Sequence, residues 1–326
     1  MKLGLAGDTM LGRGVAEKLR SAPPDALFAP ELVAAAHEAD ALVLNLECCI
    51  SSRGEPWPDP RKPFFFRAPP VAVEALALLG VDCVTLANNH ALDFGACALL
   101  DTFEHLDAAG ITWVGAGADS RRARAPAVIE RDGFRLAVLG LADHPPEYAA
   151  GPDRPGIAYA ELDRGLPGWL RDGVRAAAAD ADAVLVTPHW GPNMTVAPRP
   201  RTRRAAAALL EAGASLVAGH SAHVFHGVEP RVLYDLGDFV DDYAVDPAVR
   251  NDLGLLVFVT FEDGSPAEAE ALPLKLDCCR TRLAEGSDAA WIRHRFRAAC
   301  SRLGTAVDER DGRLVVAWRE RPATGQ

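Results

Sequence analysis

Side chains that can bind a metal ion follow the apolar segments of this sequence at several points. In CVTLANNHALDFG the apolar residues 83–87 are followed by Asn88, Asn89 and His90, and then by Asp93. Similar transitions occur at Asp8, at Asn45 to Glu47, at Asp143 and His144, at His189, at His220 to His223 and at Asp235 to Asp238. Imidazole suits zinc, iron and copper, and carboxylate and amide oxygens suit manganese and magnesium. The pattern therefore indicates a divalent metal site built from several segments.

The histidines are concentrated at these transitions. Of the nine histidines in the chain, six lie at or just after an apolar segment: His90, His144, His189, His220, His223 and His226. Two metal ions about 3.5–4 Å apart can hold a hydroxide nucleophile between them and polarise a phosphoryl oxygen. A neighbouring histidine can then protonate the leaving group. Metal-dependent hydrolysis is the chemistry that such a set of residues favours.

Short strands that alternate with helices would bring these residues together. Strand-like apolar segments occur at 3–6, 41–44, 83–87, 136–141, 183–186, 216–218 and 232–234, and helical patterns occur at 71–79, 99–108 and 203–211. This alternation predicts an α/β fold with a substantially parallel sheet. Because the carboxyl ends of parallel strands share one edge, where such folds bind ligands, we expect the metal site there.

The end of the chain and two loops depart from this pattern. After residue 275 the sequence predicts a helix at 289–303 and a strand at 314–318. We therefore predict a domain of residues 1–275 and a small helix-strand appendage of residues 276–326. The proline-rich segments 54–70 and 145–155 are predicted to be loops, either binding loops or surface crossings.

Composition excludes several classes of protein. The 326 residues are 49% hydrophobic and 24% charged, which is typical of a soluble globular protein. The net charge of -11 argues against nucleic-acid binding, which needs a basic surface. No apolar stretch is long enough for a membrane anchor, and MKLGLAGD lacks the pattern of a signal peptide. The seven cysteines show no CxxC spacing and are expected to be reduced, so we predict a cytoplasmic protein.

Six segments, in order, resemble the motifs of the CapA/PgsA family. They are GDTMLGRG, NLECCIS, LANNHALDFG, PHWG, GHSAHVFHGVE and YDLGDFV. These capsule, or poly-γ-glutamate, biosynthesis proteins belong to the calcineurin-like metallophosphoesterase superfamily, and the resemblance extends from Leu3 to about Phe261. It implies a four-layer αββα sandwich with a dinuclear metal site at the C-terminal ends of the strands.

The resemblance also implies roles for individual residues. The implied metal ligands are Asp8, Glu47, Asn89, His189, His220 and His223. His90 corresponds to the catalytic histidine, as general acid or as a donor that orients the substrate. The implied cofactor is a pair of divalent ions, Mn, Fe or Zn.

Three departures from the superfamily pattern leave a single bound ion as the alternative. Asp8 is followed by Thr9 and Met10, so the usual Asp-x-His histidine is missing. A glutamate, Glu47, occupies the position of the bridging aspartate. The closing pair is His-x-x-His rather than His-x-His.

Several charged residues are candidates for binding a small anionic or peptide-like substrate. Arg13, Lys62 and Arg67 could bind phosphate or carboxylate, or could lie on the surface. Asp143 and His144 could contact the substrate or support a metal ligand. The segment DFVDDY could orient a ligand histidine or form a plain turn.

Three functions are compatible with the sequence. The first is hydrolysis of a phosphoester or phosphoanhydride by a metal-bound hydroxide, with His90 as general acid. The second is metal-assisted chemistry on an amide such as a γ-glutamyl peptide. The third is a non-catalytic accessory or binding role.

Overall fold

The computed structural model describes residues 1–319 of the 326-residue chain. In this range the strands are β1 (Lys2–Thr9), β2 (Ala41–Leu46), β3 (Cys49–Ile50), β4 (Arg67–Ala68), β5 (Val81–Thr85), β6 (Thr112–Val114), β7 (Ala116–Gly117), β8 (Ala127–Arg131), β9 (Phe134–Ala142), β10 (Gly156–Ile157), β11 (Ala183–His189), β12 (Leu216–Ala218), β13 (Val228–Glu229), β14 (Val232–Leu233), β15 (Asp238–Val240), β16 (Leu253–Glu262), β17 (Ser265–Asp277), β18 (Arg280–Leu283), β19 (Asp308–Arg310) and β20 (Arg313–Ala317). The α-helices are α1 (Arg13–Ser21), α2 (Pro30–Ala36), α3 (Ala72–Leu78), α4 (Gly95–Ala108), α5 (Ser120–Ala123), α6 (Gly168–Asp180), α7 (Pro200–Ala212) and α8 (Gly286–Ser301). Across residues 1–319, no helix combines the length and apolar character needed to cross a membrane.

Two mixed sheets contain most of the strands. The first has the order β19-β20-β17-β16-β1-β2-β5-β6, with β15 paired to β1 and β18 paired to β17. The second has the order β13-β14-β12-β11-β9-β8. Strands β1, β2, β5 and β6 run parallel, as do β9, β11, β12 and β14, whereas β16 to β20 pair antiparallel. The predicted α/β fold is therefore confirmed.

Three buried apolar clusters hold the sheets and helices together. The first lies between the first sheet and helices α1 to α4, the second between the two sheets, and the third between the second sheet and helices α6 and α7. Strand β2 shows how one strand contributes to two clusters. Leu42 and Leu44 belong to the first cluster, whereas Ala41 and Val43 belong to the second. Successive residues of a strand point to opposite faces, so an uninterrupted apolar strand is buried on both sides.

The C-terminal strands are part of the first sheet. The position at which the sequence predicts a domain boundary, residue 275, lies within β17. Both β18 and β20 pair with β17, and Ile292 and Phe296 of α8 belong to the apolar cluster between the sheets. Residues 276–319 therefore share a core with the preceding residues, and residues 320–326 of the predicted appendage lie outside the described part of the chain.

Strand register brings polar residues together at one edge. In the first sheet, Asp8 of β1 lies beside Asn45 of β2 and beside Asp238 of β15. In the second sheet, His189 at the end of β11 forms a bridge with His220, which follows β12. The ends of four strands thus carry the residues from which the site is built.

Glycines allow the two sheets to approach closely near this edge. A Cβ atom on Gly140 of β9 would lie 2.6 Å from Thr85 Oγ1 of β5 and 3.0 Å from the Cα atom of Gly115. Contacts this short are not available to a side chain, so the spacing between the sheets at this point requires glycine.

We predict that Gly140→Ala will lower the free energy of unfolding by about 1–3 kcal/mol, because the added methyl group must push the sheets apart. Urea unfolding with a constant m-value would measure the change. Gly173→Ala in α6 is the matched control, since its Cβ would lie 3.8 Å from Leu139 Cδ2 and alanine favours a helix. Equal stability of the two variants would contradict the prediction.

Candidate metal centre

Asp8 is a buried carboxylate at the junction of the two sheets. Its Oδ1 accepts a hydrogen bond from Asn45 Nδ2 at 2.7 Å, and its Oδ2 accepts one from the backbone N–H of Ser221 at 3.2 Å. The Nδ1 atoms of His220 and His223 each lie 3.3 Å from one of its oxygens. Burial raises the pKa of Asp8, but the hydrogen bonds and charges of the two histidines outweigh burial and hold this pKa well below its usual range. Asp8 is therefore ionised, and it joins β1 to the loop after β12.

The loop after β12 has an unusual backbone that points its histidines at Asp8. Ser221 and His223 have φ angles of 107° and 57°, in the left-handed region that non-glycine residues rarely adopt. His223 Nδ1 also lies 2.7 Å from Asp238 Oδ1. Burial lowers the pKa of His223, but the charge and hydrogen bond of Asp238 raise it well above the usual value. Asp238 therefore orients this histidine.

Glu47 is fully buried and only partly satisfied. Its Oε1 lies 3.2 Å from Asn45 Nδ2 and 3.2 Å from His189 Nδ1. Its Oε2 has no hydrogen-bond partner among the described residues. Burial, followed by the charge of Asp8, raises the pKa of Glu47 well above the usual value. A buried carboxylate oxygen without a partner is costly unless a cation lies beside it.

These residues fit a divalent metal ion. Ligand atoms of Asp8, Glu47 and His223 all lie within 4.8 Å of one another. Asp235 is also buried close by, and burial and the charge of Asp8 raise its pKa well above the usual value. Several carboxylates in one dry site repel one another, and a cation offsets that repulsion. The mixed histidine and carboxylate donors suit Mn, Fe or Zn.

His189 faces both the cluster and a second pair of polar residues. Burial and the charge of His144 lower the pKa of His189, so its imidazole is neutral, the form that binds metals. The ring centroids of His144 and His189 are 5.2 Å apart. Asp143 accepts hydrogen bonds from His144 and from the backbone N–H of Gly191. Asp143 and His144 also line a cavity of about 280 Å³.

His90 is held by a carboxylate that has several partners. Its Nδ1 lies 2.7 Å from Asp93 Oδ2, which also accepts the backbone N–H of Phe66 at 2.7 Å. The other oxygen of Asp93 contacts Lys62 Nζ at 2.8 Å and the Tyr148 hydroxyl at 3.2 Å. Burial lowers the pKa of His90, and the charge and hydrogen bond of Asp93 oppose that effect. The Asp93 contact fixes the ring and leaves Nε2 available to a ligand.

The two asparagines before His90 have different environments. Asn88 is buried, and its side chain donates to Asn45 Oδ1 at 3.0 Å and accepts the backbone N–H of His90 at 3.0 Å. Asn89, the ligand implied by the family resemblance, is half-buried, and its backbone carbonyl accepts a hydrogen bond from Lys62 Nζ at 2.8 Å. Asn88 therefore links this loop to the polar cluster through Asn45.

The two candidate arginines also differ. Arg13 lines a cavity of about 370 Å³ together with His90 and His223, and its Nη2 lies 2.8 Å from Asp242 Oδ1. The Nη1 of Arg67 donates to the backbone carbonyls of Arg53 and Gly54, at the start of the proline-rich loop, at 3.1 Å each. Arg67 is thus engaged in holding the loop rather than in lining that cavity.

Asn45 is a central residue of the site to which the sequence analysis assigned no role. Its Nδ2 lies within hydrogen-bond distance of Asp8, Glu47 and His189, the last at 3.4 Å. The available signal was its spacing, because residues two apart in a strand point to the same face and Asn45 precedes Glu47 by two.

Comparison with known proteins gives related sequences and distant structures. Residues 2–243 match the family described as bacterial capsule synthesis protein PGA_cap. A probable polyglutamine synthesis accessory protein of Mycobacterium tuberculosis is 34% identical over 293 residues, which is 85% of this chain and 76% of that protein. The capsule biosynthesis protein CapA of Bacillus anthracis is 28% identical over 291 residues, 85% of this chain and 67% of that protein.

Two solved structures show the extent of the structural similarity. A hypothetical protein from Thermus thermophilus has a TM-score of 0.47 at 15% identity, covering 84% of this chain and 99% of that one. Haemophilus influenzae NAD nucleotidase has a TM-score of 0.41 at 13% identity, covering 87% of this chain and 49% of that one. Both TM-scores are low, so neither similarity assigns a function.

We predict that Mn²⁺ will raise the thermal unfolding midpoint of the protein by a few degrees, and that Glu47→Gln will abolish the increase. Metal binding to the folded state alone stabilises it by about 2.7 kcal/mol at a hundredfold excess over Kd. The glutamine keeps the shape of the side chain but removes the charge. Glu104→Gln, on the exposed face of α4, is the control and should keep the full increase. A full increase in Glu47→Gln would exclude Glu47 as a ligand.

Proposed function

This chain belongs to the bacterial capsule synthesis protein PGA_cap family, as its motifs predicted, and we propose that it is a metal-dependent hydrolase of a phosphoester or phosphoanhydride. One observation carries the proposal. Ligand atoms of buried Asp8, Glu47 and His223 lie within 4.8 Å of one another, Glu47 Oε2 has no partner among the described residues, and a carboxylate holds the nearby His90. Such a donor set combined with a separate oriented histidine is typical of metal-assisted hydrolysis.

The proposed ligands are Asp8, Glu47, His189, His220 and His223, with Asn89 as a further ligand. One or two Mn, Fe or Zn ions would, when bound, polarise a phosphoryl oxygen and activate a water molecule. The two sheets with apolar clusters on their inner and outer faces support the proposal of a four-layer αββα sandwich. In that fold the site lies at the C-terminal ends of the strands.

His90 is the proposed general acid. Asp93 accepts the Nδ1–H of His90, so the imidazolium form of His90 can pass its Nε2 proton to the leaving oxygen of a substrate in the adjoining cavity. Arg13 lines the same cavity; its guanidinium is paired with Asp242, and its remaining N–H groups would donate to the anionic group. Asp143 and His144, on the other side of His189, are proposed to bind a second part of the substrate.

The printed names of the relatives favour a second candidate, a non-catalytic accessory protein. The M. tuberculosis relative is named as a probable accessory protein of polyglutamine synthesis. In that case the same residues would bind metal without turnover, and the partner would be a component of polymer synthesis. Metal-assisted cleavage of a γ-glutamyl peptide is the corresponding catalytic alternative.

We expect His189→Ala to lose at least one metal equivalent per chain, because it removes a neutral imidazole from the buried cluster. Elemental mass spectrometry of protein purified without chelators or a polyhistidine tag would measure this. His294→Ala, on the exposed side of α8, should keep the wild-type content. Unchanged metal content in His189→Ala would reject the ligand assignment.

We expect His90→Asn to retain its metal and to lower kcat by about 10²–10⁴, the usual contribution of a general acid. The measurement is turnover of a panel of phosphate esters, with γ-glutamyl peptides assayed in parallel. The surface variant His294→Asn serves as the control and should match the wild type. Metal-loaded protein without turnover on either panel would favour the accessory role.

A further inference from the structure

The cavity of about 370 Å³ beside the candidate metal centre has an aromatic wall. Phe64, Phe66 and Tyr243 form this wall. The rings of Phe64 and Phe66 are inclined by only 16° at a centroid distance of 6.4 Å, and the ring of Tyr243 lies 5.8 Å from that of Phe66. Flat surfaces of this kind are suited to stacking against another ring.

The aromatic wall is continuous with the histidines of the site. Phe66 stacks on His90 at a centroid distance of 4.0 Å, and Tyr243 packs edge-on against His223 at 5.4 Å. A ligand with its anionic group at these two histidines would therefore have its next group against the wall. The wall and the reactive end of the cavity belong to one surface.

Two large apolar side chains around this cavity are exposed to solvent. Phe64 is 54% exposed, and Met194, which lines the same cavity, is 39% exposed. Two large apolar side chains exposed around one cavity that also contains polar groups are characteristic of a ligand site. Covering them would contribute favourable apolar burial to binding.

The charge of the cavity favours a ligand with one anionic group over a polyanion. Across residues 1–319, Arg13 is the one lysine or arginine that lines this cavity, and Asp242 already offsets its charge. Its guanidinium lies 5.5 Å from the rings of Phe64 and Phe66. A γ-glutamyl chain carries a carboxylate on every residue and would need several unpaired cations.

We propose that this cavity selects phosphate esters that carry a flat aromatic ring. The ring would stack on Phe64 and Tyr243, with the buried Phe66 behind them, and the phosphate would lie between His90 and the metal ligands, His223 among them. This inference rests on the proposed hydrolase function and names its substrate class. Stacking and ring burial would give about tenfold selectivity over an ester without the ring.

The experiment compares the binding of three phosphonates to the metal-loaded protein by calorimetry, so that it does not depend on turnover. These are 2-phenylethylphosphonate, 2-cyclohexylethylphosphonate and ethylphosphonate. We expect the phenyl compound to bind about tenfold more tightly than the ethyl compound and more tightly than the cyclohexyl compound. Tri-γ-glutamate should bind more weakly than the phenyl compound.

Two variants test whether the wall causes the preference. Phe64→Ala should reduce the ratio of phenyl to ethyl affinity toward one. Phe65→Ala is the matched control, because the Phe65 ring packs against Phe94 at a centroid distance of 6.3 Å and does not line the cavity. It belongs to the same loop, so general disruption of the loop would affect both variants alike.

Each outcome bears on the proposal. Equal affinities for the phenyl and ethyl compounds, equal affinities for the phenyl and cyclohexyl compounds, absence of phosphonate binding, or tighter binding of tri-γ-glutamate would each overturn the inference. Turnover of 2-phenylethyl phosphate is measured separately. A binding preference that depends on Phe64 without any turnover would reject the hydrolase function and retain the aromatic site.

Discussion

The buried Asp8 carboxylate is the constraint on which the rest of the site depends. An ionised carboxylate out of contact with water is stable only if hydrogen bonds and opposite charges surround it. Here Asn45 of the first sheet and Ser221, His220 and His223 of the second supply them. The same contacts that satisfy the charge therefore fasten the two sheets at the edge where their strands end, and two of the residues that make them, Ser221 and His223, have left-handed backbone.

A second carboxylate, Asp93, holds the part of the site that contains His90 and the proline-rich loop. It accepts hydrogen bonds from His90 and from the backbone of Phe66, and it pairs with Lys62. Its backbone carbonyl also accepts the N–H of Trp57 at 2.8 Å. The proline-rich loop of residues 54–70 is therefore attached to the segment that carries His90. Phe66 belongs to this loop. Asp93 therefore positions both His90, the proposed general acid, and the aromatic wall.

The sequence predicted the strand ends well and the side-chain contacts poorly. Asp8 and His189 lie at the ends of β1 and β11, His220 follows β12, and parallel pairing necessarily brings such positions to one edge. Whether Asn88 or Asn89 faces the cluster depends on the turn after β5, which spacing alone does not specify. The sequence pattern also did not indicate that β18 and β20 join the first sheet. Their antiparallel pairing with β17 depends on contacts that sequence periodicity does not specify.

Membership of a capsule synthesis family and a site for small aromatic phosphates are compatible. A polymer of glutamyl residues is a polyanion, and this chain carries a net charge of -11. Its one cavity-lining arginine among residues 1–319 is already paired with Asp242. One paired arginine can serve one anionic group but not the carboxylates of successive glutamyl residues, so the cavity disfavours retention of the polymer. An accessory role in synthesis does not require contact with the polymer, because hydrolysis of a small phosphate ester can act on the supply or the by-products of the synthetic reaction. The local chemistry of the site thus favours a small molecule over the polymer as the ligand of this chain.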